Sequence, residues 1–353
     1  MQNRGDTGGR WHDPNLSRRD ALKLAVAAGG VGALAKDQAQ IQVPRTKGSS
    51  ALSRVEIREA LIGPIPTISV PFHRDGNIDF DGLRNYVDFV LAARARSLVL
   101  TYGDSLYSIL TDQEVSEVTK AVVEHTAGRA MIVAADRTWW TGKTIEFANY
   151  VRGIGVDVLM VLPPNWAASC TAETLAEHYA AVARKIPVMV VTNVFIPRSI
   201  EFGLKTLTIL KGLSDNVVAV KDDWMGPFGR RLGLLVSDEW AAVSVMKENY
   251  LDALHYGFVG YLSNFLEFRP EVAHRYWSAI KSQDWSTAVE MIRKYEIPFS
   301  DCISKLPGGA DAGMHAAFEL AGIYKRWRRK PYYSLNDQEM EALADFLKKL
   351  TLL

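Results

Sequence analysis

The side chains best suited to chemistry stand at the ends of apolar runs. Lys221 ends the run Val217-Val218-Ala219-Val220 and precedes Asp222 and Asp223. A lysine facing a desolvated mouth has its ammonium destabilised, drawing its pKa below about 10.4. The neutral amine attacks a ketone, and the resulting Schiff base is an electron sink. The competing reading is a surface lysine paired with Asp222 or Asp223. Arg198 follows a second run, and its guanidinium suits two-pronged recognition of a carboxylate. Arg198 can instead be a solvated loop residue, and Arg137 is a weaker candidate for the same role. Tyr102 and Tyr107 lie in the loop after a third run. Their phenols either enter the site or pack as aromatics. Asp104 with Asp222 or Asp223 offers oxygen ligands to a hard cation, although no His lies near them.

These residues need elements to hold them. Short, β-branched runs occur at Ile65–Val70, Ser97–Tyr102, Met131–Asp136, Val156–Leu162, Val188–Val194, Val217–Lys221, Ala242–Met246 and Gly260–Ser263. They read as buried parallel strands. Amphipathic stretches intervene, among them Asp81–Ala93, Asp112–His125, Thr141–Gly153 and Thr171–Arg184. Thr174, not Glu, stands three residues after Thr171, so no full capping box is expected there. Alternating strands and helices predict a (β/α)8 TIM barrel over residues 55–268. A doubly wound sheet competes, but no Gly-x-Gly-x-x-Gly follows a strand. Helical patterns at Pro270–Ile280, Asp284–Ser300, Ala310–Ala321 and Asn336–Leu350 predict a C-terminal helical extension over 269–353.

The chain has 353 residues, 48% of them hydrophobic, and a formal net charge of +1. That balance gives no support for a nucleic-acid footprint. Two cysteines, Cys170 and Cys302, cannot build a disulfide framework or a four-thiolate zinc site. Residues 1–35 read as an export signal: Arg18-Arg19, Lys23, a short apolar stretch, then Ala33-Leu34-Ala35 as a cleavage site. The consecutive arginines resemble a twin-arginine signal, with Ala21 where an aromatic is usual. The apolar stretch is too short to span a membrane. Export in the folded state to the periplasm or another extracytoplasmic compartment is expected. Residues 36–54 read as a linker.

From about Gly63 onward, ordered motifs carry a resemblance. They are Pro71-Phe72-x-x-Asp75-Gly76-x-Ile78-Asp79, Leu110-Thr111-x-x-Glu114, Ile186-Pro187 through Asn193, Val220-Lys221-Asp222, and Gly257-x-x-Gly260-x-x-Ser263-Asn264 before Pro270. Together they resemble the dihydrodipicolinate synthase/N-acetylneuraminate lyase superfamily. The resemblance implies a (β/α)8 barrel with a helical C-terminal part, a homotetramer or dimer, and Lys221 as the Schiff-base residue. It puts Asn193 at the Asn of the family's Tyr-Asn pair and Gly260 in the eighth-strand signature. No cofactor and no metal is implied.

Several family features are replaced. Thr192 stands where the family has its proton-shuttling Tyr, and Thr is a far poorer acid than a phenol. The family's hydroxyl loop for the keto-acid carboxylate becomes Tyr102-Gly103-Asp104-Ser105. Asp104 would repel a bound carboxylate, while Ser105 could take over part of the loop. Pro163-Pro164-Asn165-Trp166 replaces a Tyr-Tyr pair, and Trp166 either walls the pocket or packs. Trp139-Trp140 would line an apolar mouth or an interface. These changes, together with export, argue against authentic dihydrodipicolinate synthase activity. The expected function is a Schiff-base lyase, aldolase or hydro-lyase, of a small 2-keto acid or sugar acid. Lys221 is its nucleophile, and Thr192 with Tyr102 or Tyr107 moves protons. Ser105, Asn193, Arg198 and Gly260 bind substrate. The alternative is an exported, non-catalytic ligand-binding protein on a degenerate barrel.

Overall fold

The computed structural model describes residues 52–353. The signal and almost all of the linker lie outside the described residues. The fold begins slightly earlier than 55. Ser53 caps helix α1 (Arg54–Ala60) in a full capping box with Glu56. Arg54 Nη2 donates to Val217 O at 2.7 Å and Arg58 Nη1 to Trp240 O at 2.9 Å. These bonds hold α1 against the strand-start end of the barrel, with Ile57 and Leu61 buried beneath it.

Eight parallel strands follow: β1 (Gly63–Ile65), β2 (Ser97–Val99), β3 (Met131–Ala135), β4 (Val158–Val161), β5 (Val188–Val191), β6 (Val217–Asp222), β7 (Ala241–Ser244) and β8 (Phe258–Leu262). Each pairs with its neighbour in sequence from β2 to β8, and β8 returns to pair with β1. β1 is shorter than the run Ile65–Val70 predicts, because Pro66 has no N–H for the ladder. The chain beyond it still meets β2, through Ile68 N to Val99 O at 2.9 Å and a Thr67–Val99 bridge. That contact makes the sheet a nearly closed barrel.

The barrel's outer helices are α2 (Phe80–Ala92), α3 (Asp112–Thr126), α4 (Thr141–Ile154), α5 (Ala172–Ala183), α6 (Ile200–Leu213), α7 (Gly226–Val236) and α8 (Lys247–Ala253). At α5 the expectation about the cap fails. Thr174 Oγ1 accepts from Thr171 N at 3.0 Å, so a threonine hydroxyl does the work of the missing Glu.

The C-terminal part is helical: α9 (Asn264–Phe268), α10 (Pro270–Lys281), α11 (Trp285–Met291), α12 (Ile297–Ser304), α13 (Gly309–Leu320) and α14 (Asp337–Lys349). The single helix expected over Asp284–Ser300 is interrupted by a π-helical turn at Ile292–Glu296. Pro298 explains it: proline cannot donate to an i−4 carbonyl, so the ladder shifts before it. Between α13 and α14 the chain straps the barrel mouth. Arg329 donates to Gly76 O and Ile109 O and makes a two-pronged pair with Glu114, binding the loops after β1 and β2.

Candidate active site

Lys221 is the fifth residue of β6, paired in register with Val191 of β5 and Val243 of β7. It is 8% exposed. Its Nζ forms a hydrogen-bonded ion pair with Asp223 Oδ1. Residues two apart lie on the same side of an extended chain, so Lys221 and Asp223 meet while Asp222 turns the other way.

Asp222 is fully buried and serves the fold. Oδ1 accepts from Thr192 Oγ1 at 2.7 Å and from Trp224 N at 3.0 Å, and Oδ2 accepts from Met225 N at 3.1 Å. Burial raises its pKa, and these donors pull the other way. A Cβ on Gly229 of α7 would lie 2.6 Å from Oδ2, so glycine is what lets the helix approach the carboxylate. The sequence left Asp222 and Asp223 as interchangeable partners of the lysine, and the structure divides them. One pins the turn into α7, and the other holds the amine.

Thr192 does not take the place of the missing phenol. Its hydroxyl donates to Asp222, accepts Asp223 N at 2.9 Å, and is fully buried. It braces the end of β5 against β6 and is not free to relay a substrate proton. Ser105 is committed to the fold in the same way. Its Oγ donates to Ile68 O at 2.5 Å and accepts Thr101 N at 3.0 Å with no exposed surface, so it ties the β2 loop to the β1 extension. Tyr107 is also fully buried, and burial pushes its phenol well above the usual range. It packs as a core aromatic. Tyr102 is half-buried and packs at the edge of the core.

Gly260 is where the backbones of β8 and β1 approach closely. A Cβ there would fall 2.1 Å from Leu61 O. Arg198 Nη1 reaches the carbonyls of Ala167, Ala168 and Cys170 at 3.2–3.4 Å, and the guanidinium stacks 3.9 Å over Phe202. Part of its fork therefore holds the β4 loop. Arg137 pairs through Nη1 with Asp112 at 3.0 Å. Asn193 stands exposed in a one-turn 3-10 helix after β5. Trp140 and Trp166 are 69% and 82% exposed beyond β3 and β4, whereas Trp139 packs edge-on against Phe147.

Two buried acids escaped sequence reasoning. Glu267 of α9 is 2% exposed, and its Oε1 accepts both Thr67 N and Thr67 Oγ1 at 2.7 Å. Burial, and then the charge of Asp104, push its carboxyl up to about 8. Asp136 follows β3, accepts Leu162 N at 2.8 Å and Thr144 Oγ1 at 2.9 Å, and is pushed up to about 7 by burial. The one available signal for Glu267 is a lone acid among apolar residues in Asn-Phe-Leu-Glu-Phe. Asp104 lies in the β2 loop bonded to Thr101 Oγ1 at 2.9 Å. Among the described residues no group of three or more His, Cys, Asp or Glu is placed to hold a metal ion.

The dihydrodipicolinate synthetase family profile matches residues 60–350. A Streptomyces coelicolor protein named "probable 5-dehydro-4-deoxyglucarate dehydratase 2" is 25% identical over 85% of this chain and 93% of its own length. A 4-hydroxy-tetrahydrodipicolinate synthase from Phenylobacterium zucineum is 28% identical over 68% of this chain and 82% of its own. The crystal structure of Mycoplasma synoviae N-acetylneuraminate lyase (crystal form II) has a TM-score of 0.72 at 19% identity, covering 84% of this chain and 99% of that one. That of Oceanobacillus iheyensis dihydrodipicolinate synthase has a TM-score of 0.73 at 20% identity, covering 85% and 100%. These structures share the fold, and with the profile spanning the barrel and its helical appendage, this chain belongs to the dihydrodipicolinate synthetase family.

Proposed function

We propose that Lys221 forms a Schiff base with a small 2-keto acid or sugar acid and that the protein uses it to break or make a C–C bond or to eliminate water. Its family and its strand-end lysine make the chain a class I aldolase-type lyase. The observation that carries the proposal is the placement of Lys221 at the C-terminal end of β6, 8% exposed and held by Asp223. Catalytic groups in such barrels stand at that end of the strands. The amine itself supplies the electron sink, so the chemistry needs no organic cofactor. Elimination of water fits the relative matched over 93% of its length, whose name is that of a dehydratase. The exposed Asn193 and the remaining donors of Arg198 are proposed to contact the substrate.

The test is reductive trapping. Incubation with pyruvate and related 2-keto acids, followed by borohydride, should add the reduced keto acid to the Lys221 peptide, read by mass. No adduct with any keto acid would refute the reading. The commitment of Ser105 and Thr192 to the fold favours one rival, a ligand-binding protein without turnover. Thermal stabilisation by a keto acid without trapping or product would support that rival. Export through the Arg18-Arg19 leader and assembly as a homotetramer or dimer belong to the proposal. Cell fractionation and light scattering test them.

A further inference from the structure

The strand-five position lacks the phenol that would carry the protons of imine formation, and Thr192 there is spent on Asp222 and Asp223 N. We propose that Asp223 carries these protons. This rests on the Schiff-base reading of Lys221. Asp223 is the acid in contact with the reacting nitrogen. Its side chain is 17% exposed and that of Lys221 10%, so the pair is sheltered but open to a ligand. The backbone that bears it is fixed by its own N–H bonding to Thr192 Oγ1. Asp222 next to it is occupied by three donors and faces α7, which leaves Asp223 as the carboxylate on the lysine's side.

The chemistry balances with the keto acid alone. Asp223 takes one proton from the ammonium, and the freed nitrogen lone pair forms a C–N bond to the carbonyl carbon. The carbonyl π pair passes to oxygen. Two of the three ammonium protons reach that oxygen by way of Asp223 Oδ1. The C–O bond breaks as water leaves with both, giving a protonated imine beside a regenerated carboxylate. The carboxylate is then the counter-ion of the imine, and a base within reach of the adjacent carbon.

The experiment times the trapping reaction. Wild type and Asp223→Asn are mixed with the keto acid that wild type traps fastest, and borohydride is added at intervals. Asn keeps the shape and cannot carry a proton, so the same Lys221 adduct should form about 100-fold more slowly or worse. Asp223→Ala, with and without added formate, repeats the test without relying on the Asn side chain, and formate should restore part of the rate. A merely structural carboxylate would not be rescued this way. Unchanged trapping rates in both variants would overturn the role of Asp223 while leaving the Schiff base standing. A wild type that traps nothing would remove the Schiff base and the role of Asp223 together.

Discussion

Glu267→Gln isolates a single buried acid on the wall of the barrel mouth. The folded protein holds the Glu267 proton up to about pH 8, against a reference value of 4.5. The folded pKa is raised, so the folded state binds more protons than the unfolded chain between those values. Its contribution to stability is therefore full below the unfolded pKa and is lost as pH rises toward 8. The limiting slope for one group is about 1.4 kcal/mol per pH unit, so between about pH 5 and about pH 7 the loss approaches 3 kcal/mol. The amide introduced by E267Q would still accept from Thr67 N and Oγ1 but would carry no titrating proton. Asp136 and Asp222 are also raised and steepen the wild-type curve, but they are present in both proteins and cancel in the difference. Urea unfolding, followed through the buried Trp240, should show E267Q gaining on wild type by about 3 kcal/mol over that range. A difference that stays constant with pH would refute the buried neutral acid.

Asp222→Ala should destabilise by roughly 3 kcal/mol or more, since it strands Thr192 Oγ1, Trp224 N and Met225 N in a buried turn. Chemical unfolding measures this, and a loss below about 1 kcal/mol would contradict the bracing role. Gly260→Ala forces a Cβ against the Leu61 carbonyl. It should lower the melting temperature markedly, at a cost of about 1–3 kcal/mol or more; a change in ligand affinity at wild-type stability would restore the substrate-binding role. Arg329→Met breaks the strap. Its guanidinium is the leading reason that the Glu114 carboxyl falls to about 2 from 4.5. A lowered carboxyl stabilises the fold above its unfolded pKa, and that stability is lost as pH falls toward 2. The wild-type advantage over R329M, about 2–3 kcal/mol near neutrality, should therefore shrink between about pH 4.5 and about pH 2.

Much of the barrel was legible because parallel strands buried on both faces have a signature of their own. Val217–Val220 and Met131–Ala135 are uninterrupted apolar runs, and their ladders follow those runs closely. Pro66 and Pro298 disturbed the expected elements at β1 and in the Asp284–Ser300 helix, in each case through a missing N–H. Lys221 was legible through the Val220-Lys221-Asp222 motif of the resemblance; its place at the end of an apolar run left a lysine merely paired with a neighbouring acid equally open. The partners were not. Thr192, Ser105 and Tyr107 have side chains fit for chemistry, and the sequence does not show whether a hydroxyl faces substrate or a neighbouring carbonyl. Glu267 went unread because its partner Thr67 lies 200 residues away.

Composition, run length and the order of motifs determined the barrel, its helical appendage and the candidate nucleophile, since each rests on local periodicity or on a residue at the end of its own strand. Only the tertiary structure decided which polar groups are spent and which are free. It put Asp222 under the turn into α7 and Asp223 on the amine, although the two are adjacent and chemically alike. The reason is geometric. Successive residues point to opposite sides of the chain, and the carboxylate turned toward α7 meets the N–H groups of its own turn, Trp224 and Met225, and the Thr192 hydroxyl, which only folding brings from the end of β5.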